Sequence, residues 1–183
     1  TNALFRDFSS WYHIVVAVDT TDGTADDRIK LYVNGSQITD FATNNAYTQN
    51  DDTQINNTSL HYIGRYHSGD YFDGYMSEVN FIDGSQLTPA SFGETKDGIW
   101  VPKEYTGSHG TNGFYLPMGA TATSGFSADF DGSGDNVRFT SASQFDIASG
   151  DDYCLEFYTK GDFESNYSYG IGDYDNGYFL LQM

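Results

Sequence analysis

Basic residues are scarce in this sequence of 183 residues. It has 8 Lys and Arg against 26 Asp and Glu, which gives a formal net charge of -18. A partner with a phosphate backbone or an anionic surface requires a basic stripe that displaces its counterions, and the eight cations are scattered from Arg6 to Lys160. We therefore expect neither nucleic acid nor a membrane as a partner.

Cysteine is almost absent, because Cys154 stands alone. A single cysteine excludes an intrachain disulfide. It lies within the stretch Tyr-Cys-Leu-Glu-Phe at 153–157, so we expect a buried thiol that packs as a small hydrophobe and is not a nucleophile. The sequence shows no signal peptide and no apolar run of membrane-spanning length, so it does not indicate a compartment by itself.

Proline and helical periodicity are also scarce, whereas aromatic residues and glycine are abundant. The chain has 3 Pro, 20 Gly, 15 Tyr and 14 Phe. Aromatic residues favour strands, and glycine favours the turns between them. No convincing amphipathic helical window is present, so the sequence predicts an all-β chain.

The clearest local pattern is a hairpin formed by residues 11–19 and 28–35. Ile29, Leu31 and Val33 alternate with polar residues, which is the period of a half-buried strand. Asn34 and Gly35 supply the positive φ angles of a tight primed turn. Further strands are predicted over 60–65 and 72–84, and a single helical turn over 87–93 is predicted to have Thr88 as its cap and Pro89 at its first position.

Five short motifs occur in an order that resembles the second half of a laminin G-like, concanavalin A-like lectin domain. They are Trp-Tyr-His-Ile at 11–14, Leu-Tyr-Val-Asn-Gly at 31–35, Ile-Gly-Arg at 63–65, Phe-Asp-Gly-Tyr-Met-Ser-Glu-Val at 72–79, and Leu-Thr-Pro at 87–89. The continuation over 98–116 is similar to a tail on such domains in structural proteins of marine bacteriophages. The resemblance implies an antiparallel β-sandwich of the jelly-roll, concanavalin A-like kind.

The rest of the chain resembles the beginning of the same fold. Residues 126–139 look like its first hairpin, and 145–158 and 169–181 look like further strand pairs. We expect residues 1–117 to be the C-terminal part of a sandwich with its tail, 118–125 a linker, and 126–183 an N-terminal part. Two arrangements stay open. The chain could contain parts of two successive sandwich domains in a tandem array, or both parts could complete one circularly permuted sandwich.

The residues give little support to catalysis. Laminarinases with this sandwich use a Glu-x-Asp-x-x-Glu strand, and none of the five glutamates here lies in that pattern. Glu78 and Glu156 each stand alone in a predicted strand, which favours a structural role. The four histidines lack zinc-ligand spacing, and no nucleophile elbow or phosphate loop is present. We expect a protein that is not an enzyme.

Two kinds of binding site are candidates. The loop after the first strand contains Asp19, Asp22, Asp26 and Asp27, which could fold around one Ca²⁺, with a solvated acidic loop as the alternative. A glycan site needs flat aromatic rings beside polar groups, and two loops have that mixture. The candidate glycan-binding residues are Tyr66, His67, Asp70, Tyr71, Tyr169 and Tyr174; packing is the alternative role for the tyrosines.

The function we expect is that of a non-catalytic structural or adhesion module on a virion surface or tail protein, contacting glycans or the host surface. The alternative is an accessory carbohydrate-binding module of a secreted glycoside hydrolase. Expected partners are neighbouring domains, other virion proteins, a polysaccharide and further copies of the chain in a homo-oligomer. The expected location is the virion surface or the extracellular space.

Overall fold

A computed structural model describes residues 5, 7, 9–43, 46–53, 55, 60–66, 70–117, 128–139, 152–161, 171–173 and 178–179. The strands are β1 Tyr12–Val18, β2 Ile29–Val33, β3 Ser36–Ile38, β4 His61–Ile63, β5 Arg65–Tyr66, β6 Asp70–Tyr71, β7 Asp73–Asp83, β8 Gly93–Lys96, β9 Ile99–Pro102, β10 Phe114–Leu116, β11 Ala128–Asp131, β12 Val137–Phe139, β13 Tyr153–Gly161, β14 Ile171–Asp173 and β15 Tyr178–Phe179. Helical segments in these ranges are the 3-10 turns Ala25–Asp27 and Pro89–Ser91. No helix in the described ranges has the length and hydropathy to cross a membrane.

The strands form two main antiparallel sheets. Sheet A has the order β10-β7-β13-β1-β2-β3, and β11 also pairs with β7. Sheet B has the order β12-β4-β14-β15, and the pairs β5-β6 and β8-β9 form separate ribbons. The prediction of an all-β, antiparallel fold is confirmed.

The predicted opening hairpin is present. Strands β1 and β2 pair in register from Ile14 opposite Val33 to Val18 opposite Ile29. The turn that follows has Asn34 at φ 48° and Gly35 at φ 80°, as a primed turn requires. The helical turn at Pro89–Ser91 also follows Thr88, although the Thr88 side chain makes no capping hydrogen bond.

Every residue of β1 is buried because both faces of sheet A are covered. One face packs Ile14, Val16 and Val18 into the main core, which also receives Ile63 from sheet B and Phe130 from β11.

The second face of sheet A packs Val15, Ala17, Ile82 and Cys154 beneath Phe92. The Cys154 side chain is buried, as predicted, and burial raises the pKa of its thiol. Residues 87–105 thus form a cover over the second face of sheet A.

Strand β13 lies in the centre of sheet A, between β7 and β1. It pairs with β1 over seven residues, from Tyr12 opposite Thr159 to Val18 opposite Tyr153. It pairs with β7 from Tyr153 opposite Asp83 to Gly161 opposite Gly74. Strand β12 pairs with β4 in sheet B, so strands from before and after residue 117 lie side by side in both sheets.

The prediction of a hairpin over 126–139 is wrong. Strand β11 pairs with β7 in sheet A, and β12 pairs with β4 in sheet B. The turn between them redirects the chain from one sheet to the other. Asp131 N donates to Asp135 Oδ2 at 3.1 Å, Ser133 N donates to Asp131 Oδ1 at 2.8 Å, and Gly132 and Gly134 have positive φ.

Candidate functional site

A β-bulge in strand β7 sets the position of Glu78. The register of β13 against β7 shifts between Glu156 and Tyr158, where Glu78 and Val79 both face Phe157. Val79 is buried in the main core, while Glu78 adopts φ 55°, a conformation that costs a residue with a side chain about 1–3 kcal/mol. The bulge therefore turns Glu78 towards the second face of sheet A.

Glu156 occupies the centre of that face as a buried carboxyl group. Tyr115, Asn80 and Glu156 form one row across β10, β7 and β13. Glu156 is 1% exposed, and Asn80 Nδ2 donates to its Oε2 at 2.8 Å. Burial raises the pKa of Glu156 well above its usual range, the hydrogen bond from Asn80 lowers it, and the nearby Glu78 raises it.

His13 is buried next to Glu156, and its proton position follows from one hydrogen bond. The Trp100 Nε1–H donates to His13 Nδ1 at 2.8 Å. An indole nitrogen only donates, so Nδ1 must be unprotonated and the ring must be neutral with its hydrogen on Nε2. Burial acts in the same direction and lowers the pKa of His13 to about 3. The imidazole also stacks on Tyr158, with ring centroids 4.4 Å apart.

The His13 and Glu156 side chains are in close contact. Nε2 lies 2.9 Å from Glu156 Oε1, although the ring N–H does not align with any acceptor among the described residues. Because the ring is neutral, this contact is not an ion pair.

A second set of polar groups extends from Asn80 towards solvent. Asn80 Oδ1 lies 2.9 Å from His109 Nε2. Asn80 donates to Glu156 through its amide nitrogen, so its oxygen accepts and His109 Nε2 carries the hydrogen. Burial lowers the pKa of His109. On the adjacent strand, the Tyr115 hydroxyl donates to Glu78 Oε2 at 2.6 Å, and burial followed by this bond raises the pKa of Tyr115.

A cavity of about 70 Å³ lies between sheet A and the cover, and its polar lining includes Glu78, Asn80, His109, Tyr115 and Glu156. Its aromatic wall comes from Phe92, Tyr105, Tyr115 and Tyr158, and its carboxyl groups come from Glu78, Glu104 and Glu156. The volume exceeds what a single water molecule needs and is far below the 300–1,000 Å³ typical of pockets that enclose a whole ligand. The cavity therefore fits one terminal polar group of a larger molecule.

The structure describes only some of the predicted glycan-binding residues. Tyr71 lies in β6, and the Arg65 guanidinium lies 5.5 Å from its ring centroid and 4.7 Å from that of Tyr62. Tyr66 and Asp70 are opposite each other in the β5-β6 ribbon. His67, Tyr169 and Tyr174 lie outside the described residues. The glycan-binding role of all six residues stays a prediction.

The four predicted calcium ligands have other contacts. Asp19 Oδ1 accepts from the Thr21 hydroxyl at 2.6 Å, and Asp22 Oδ1 accepts from Thr24 N at 2.7 Å. Asp27 lies 3.3 Å from Lys30 Nζ, and Asp26 belongs to the 3-10 turn Ala25–Asp27. The described part of the chain contains no group of three His, Cys, Asp or Glu residues that could hold a metal ion. Calcium stays a prediction.

The proximity of Glu78 and Glu156 is not visible in the sequence. They are 78 residues apart in the sequence, and the strand that separates β7 from β1 is supplied by residues 153–161. One signal was available: each of the two strands is rich in apolar residues and contains a single Glu. Their proximity depends on the pairing of β7 with β13, which no local pattern specifies.

Comparison with known families gives one match. Residues 1–91 match a laminin G family model, described as the concanavalin A-like lectin/glucanases superfamily. The chain is similar to this superfamily over those residues, and its antiparallel β-sandwich agrees with the match. The similarity suggests a carbohydrate-binding or structural role. Comparisons with curated proteins and with solved structures give no match.

Proposed function

We propose that this chain is a non-catalytic module that contacts carbohydrate, as part of a structural or adhesion protein on a virion surface or tail. The carbohydrate part is supported by the match of residues 1–91 to a superfamily of lectins and glucanases. The virion part rests on the likeness of residues 98–116 to a tail in phage structural proteins.

The observation that carries the proposal is the composition of the cavity on the second face of sheet A. Sugar sites combine aromatic rings with a few polar groups that fix orientation. Here the ring of Tyr115 is 44% exposed while its hydroxyl is held by Glu78. A sugar ring can therefore stack on Tyr115 and direct one substituent into the cavity.

The non-catalytic part is supported by the surroundings of Glu156. A retaining glycosidase needs two carboxyl groups about 5 Å apart on either side of the scissile bond. Glu156 is 1% exposed, and its two oxygens face Asn80 and His13. The cavity of about 70 Å³ is also far smaller than a pocket that encloses a whole ligand.

A glycan array with the purified chain, with and without EGTA, tests the carbohydrate proposal. We expect binding that Tyr115→Ala reduces by about tenfold or more, as loss of a stacking aromatic ring implies. Tyr75→Ala is the matched control, because Tyr75 is 41% exposed and lies outside the cavity lining. Absence of binding in both conditions would leave an architectural role only. Loss of binding in EGTA alone would support the predicted calcium requirement.

The accessory module of a secreted glycoside hydrolase is the second candidate, favoured by the glucanases in the matched superfamily. Immunogold labelling of particles from the source of this sequence separates the two. Labelled virions support the virion proposal, and label confined to a soluble secreted enzyme contradicts it. Release of reducing sugar from a bound glycan by the chain alone would contradict the non-catalytic proposal.

A further inference from the structure

The hydrogen-bonding groups of the cavity are unevenly distributed between donors and acceptors. The inward-facing donors are largely engaged within the protein. Asn80 Nδ2 donates to Glu156 and to the Glu78 carbonyl, His109 Nε2 donates to Asn80, and the Tyr115 hydroxyl donates to Glu78. The hydroxyl of Tyr105 donates to the Ser108 carbonyl at 3.0 Å.

The acceptors of the same residues are left for a ligand. Glu78 accepts from Tyr115 through Oε2, which leaves its Oε1. The neutral ring of His109 has its hydrogen on Nε2, so Nδ1 is an acceptor. The Tyr115 hydroxyl oxygen, having donated its hydrogen, can still accept.

An independent feature points to a missing group in this cavity. Tyr158 lines it and is 8% exposed, yet its buried hydroxyl has no hydrogen-bond partner among the described residues. The Trp100 indole lies close to Tyr158, but its one N–H is taken by His13. An unpaired buried hydroxyl costs about 1–3 kcal/mol, so a ligand group that satisfies it is favoured.

The local charge favours a cation. Three carboxyl groups, those of Glu78, Glu104 and Glu156, line the cavity together with one Lys. Burial raises the pKa of Glu156, so the negative charge of the lining comes from Glu78 and Glu104. The ammonium of that residue, Lys103, donates to the Ala90 carbonyl, which is not part of the lining. The net charge of -18 adds a long-range attraction for cations. Aromatic rings around carboxylates are a favourable environment for an ammonium group.

We infer that the cavity binds the ammonium group of an amino sugar whose ring stacks on Tyr115. An ammonium has three donors and no acceptor, which matches the acceptors on Glu78 and His109 and the hydroxyl oxygens of Tyr115 and Tyr158. This inference rests on the proposed carbohydrate function and assigns it a ligand class. The exposed ring of Tyr115 favours a sugar over the flexible chain of a lysine.

Isothermal titration calorimetry with a short β-1,4-linked glucosamine oligosaccharide tests the inference, at a pH where its amines are protonated. The N-acetylglucosamine oligosaccharide of equal length is the matched ligand, because acetylation removes the charge and two donors. We expect the glucosamine oligomer to bind at least about tenfold more tightly, as a charge-assisted hydrogen bond implies. Equal affinities would overturn the inference.

Two variants test the site itself. Glu78→Gln should abolish the preference for the free amine. Glu94→Gln should keep it, because Glu94 lies outside the lining and its side chain is 44% exposed. Tyr158→Phe should weaken glucosamine binding about fivefold or more while leaving the protein as stable as before or more stable, since it removes an unpaired buried hydroxyl. If both Glu78→Gln and Tyr158→Phe keep the wild-type preference for the glucosamine oligomer, the amine binds elsewhere and the inference is contradicted.

Two further results distinguish the inference from the function on which it rests. Binding of neutral glycans without any preference for amines would contradict the inference and leave the carbohydrate function supported. Absence of binding to every glycan would contradict both. Nα-acetyl-lysine methylamide serves as a competitor: displacement of the oligosaccharide at equal concentration would assign the cavity to protein lysines and overturn the amino-sugar assignment.

Discussion

The indole N–H of Trp100 donates to Nδ1 of His13, and the two rings lie nearly parallel at 20°. Trp100 belongs to β9 in the cover, and His13 belongs to β1 in sheet A. The hydrogen bond therefore fixes both the position of the cover and the tautomer of a buried histidine.

Replacement of Trp100 by Phe should release this constraint. We expect Trp100→Phe to lower the free energy of unfolding by about 1–3 kcal/mol, because Nδ1 of His13 loses its donor in a buried site. Trp11→Phe is the matched control, since Trp11 is 41% exposed, and should change stability by less than about 0.5 kcal/mol. Urea unfolding measures both. Equal effects of the two substitutions would contradict the role given to the Trp100 bond.

The neutral state of His13 predicts a loss of stability in acid. The pKa of His13 is lowered to about 3, whereas an unfolded histidine titrates near 6.5. As the pH falls from about 6.5 towards 3, the unfolded chain takes up a proton that the folded chain does not, so stability falls by up to about 1.4 kcal/mol per pH unit. Unfolding free energies at several pH values should show a shallower slope in His13→Gln. An unchanged slope would mean that His13 is protonated in the folded protein.

Glu156 should act in the opposite direction over a pH range that overlaps that of His13. Burial raises its pKa, so the folded protein retains a proton that the unfolded chain releases above about pH 4.5, and stability is lost as the pH rises towards the folded pKa. Glu156→Gln removes this loss, so its stability relative to the wild type should improve as the pH rises above about 4.5. Glu94→Gln should show no such improvement, because the hydrogen bond with Lys96 lowers the pKa of Glu94. A parallel pH profile for Glu156→Gln and wild type would contradict the prediction.

Three glycines separate the steric and conformational demands of the cover. A Cβ at Gly93 would lie 2.5 Å from the Trp100 ring, but the φ of Gly93 is not positive. Gly98 has a φ of 80° and open space around it. Gly35 has a φ of 80°, and a Cβ there would also clash with the Trp100 ring. We expect Gly98→Ala to cost about 1 kcal/mol and Gly93→Ala about 1–3 kcal/mol. Gly35→Ala should cost roughly the sum. Thermal unfolding of the three variants measures these costs, and a neutral Gly93→Ala would show that the cover is loosely packed.

The bulge residue Glu78 should be more important for binding than for stability. Its φ of 55° suits glycine, so Glu78→Gly should keep the wild-type stability within about 1 kcal/mol, because relief of strain offsets the lost side-chain contacts. Ser77→Gly, one residue away at an ordinary strand conformation, should destabilise by about 0.5–1 kcal/mol. Glycan binding measured on the same samples should fall only in Glu78→Gly. A large destabilisation by Glu78→Gly would indicate that its contacts serve the fold.

Local features of the fold could be predicted where neighbouring residues determine them. The alternation at 29–33, the Asn34–Gly35 turn and the turn at Pro89 depend on residues a few positions apart, and the structure has all three. The expected hairpin over 126–139 failed because strand pairing is decided by distant partners in both sheets.

Local sequence patterns could not predict which residues come together in the candidate site, for the same reason. Its residues come from β1, β7, β9, β10 and β13, and the bulge that positions Glu78 arises only when β7 pairs with β13. The polar character of Glu156 is visible in the sequence, but its partners Asn80 and His13 lie 76 and 143 positions away. No pattern of spacing along the chain links them.

The central place of β13 in sheet A has a consequence during protein synthesis. Strands β1 and β7 leave the ribosome well before residues 153–161, and at typical rates of about 5–20 residues per second the delay is several seconds. During that time each presents an apolar strand with an unpaired edge, which is prone to association with other chains. Newly made chains should therefore depend on chaperones until the central strand arrives.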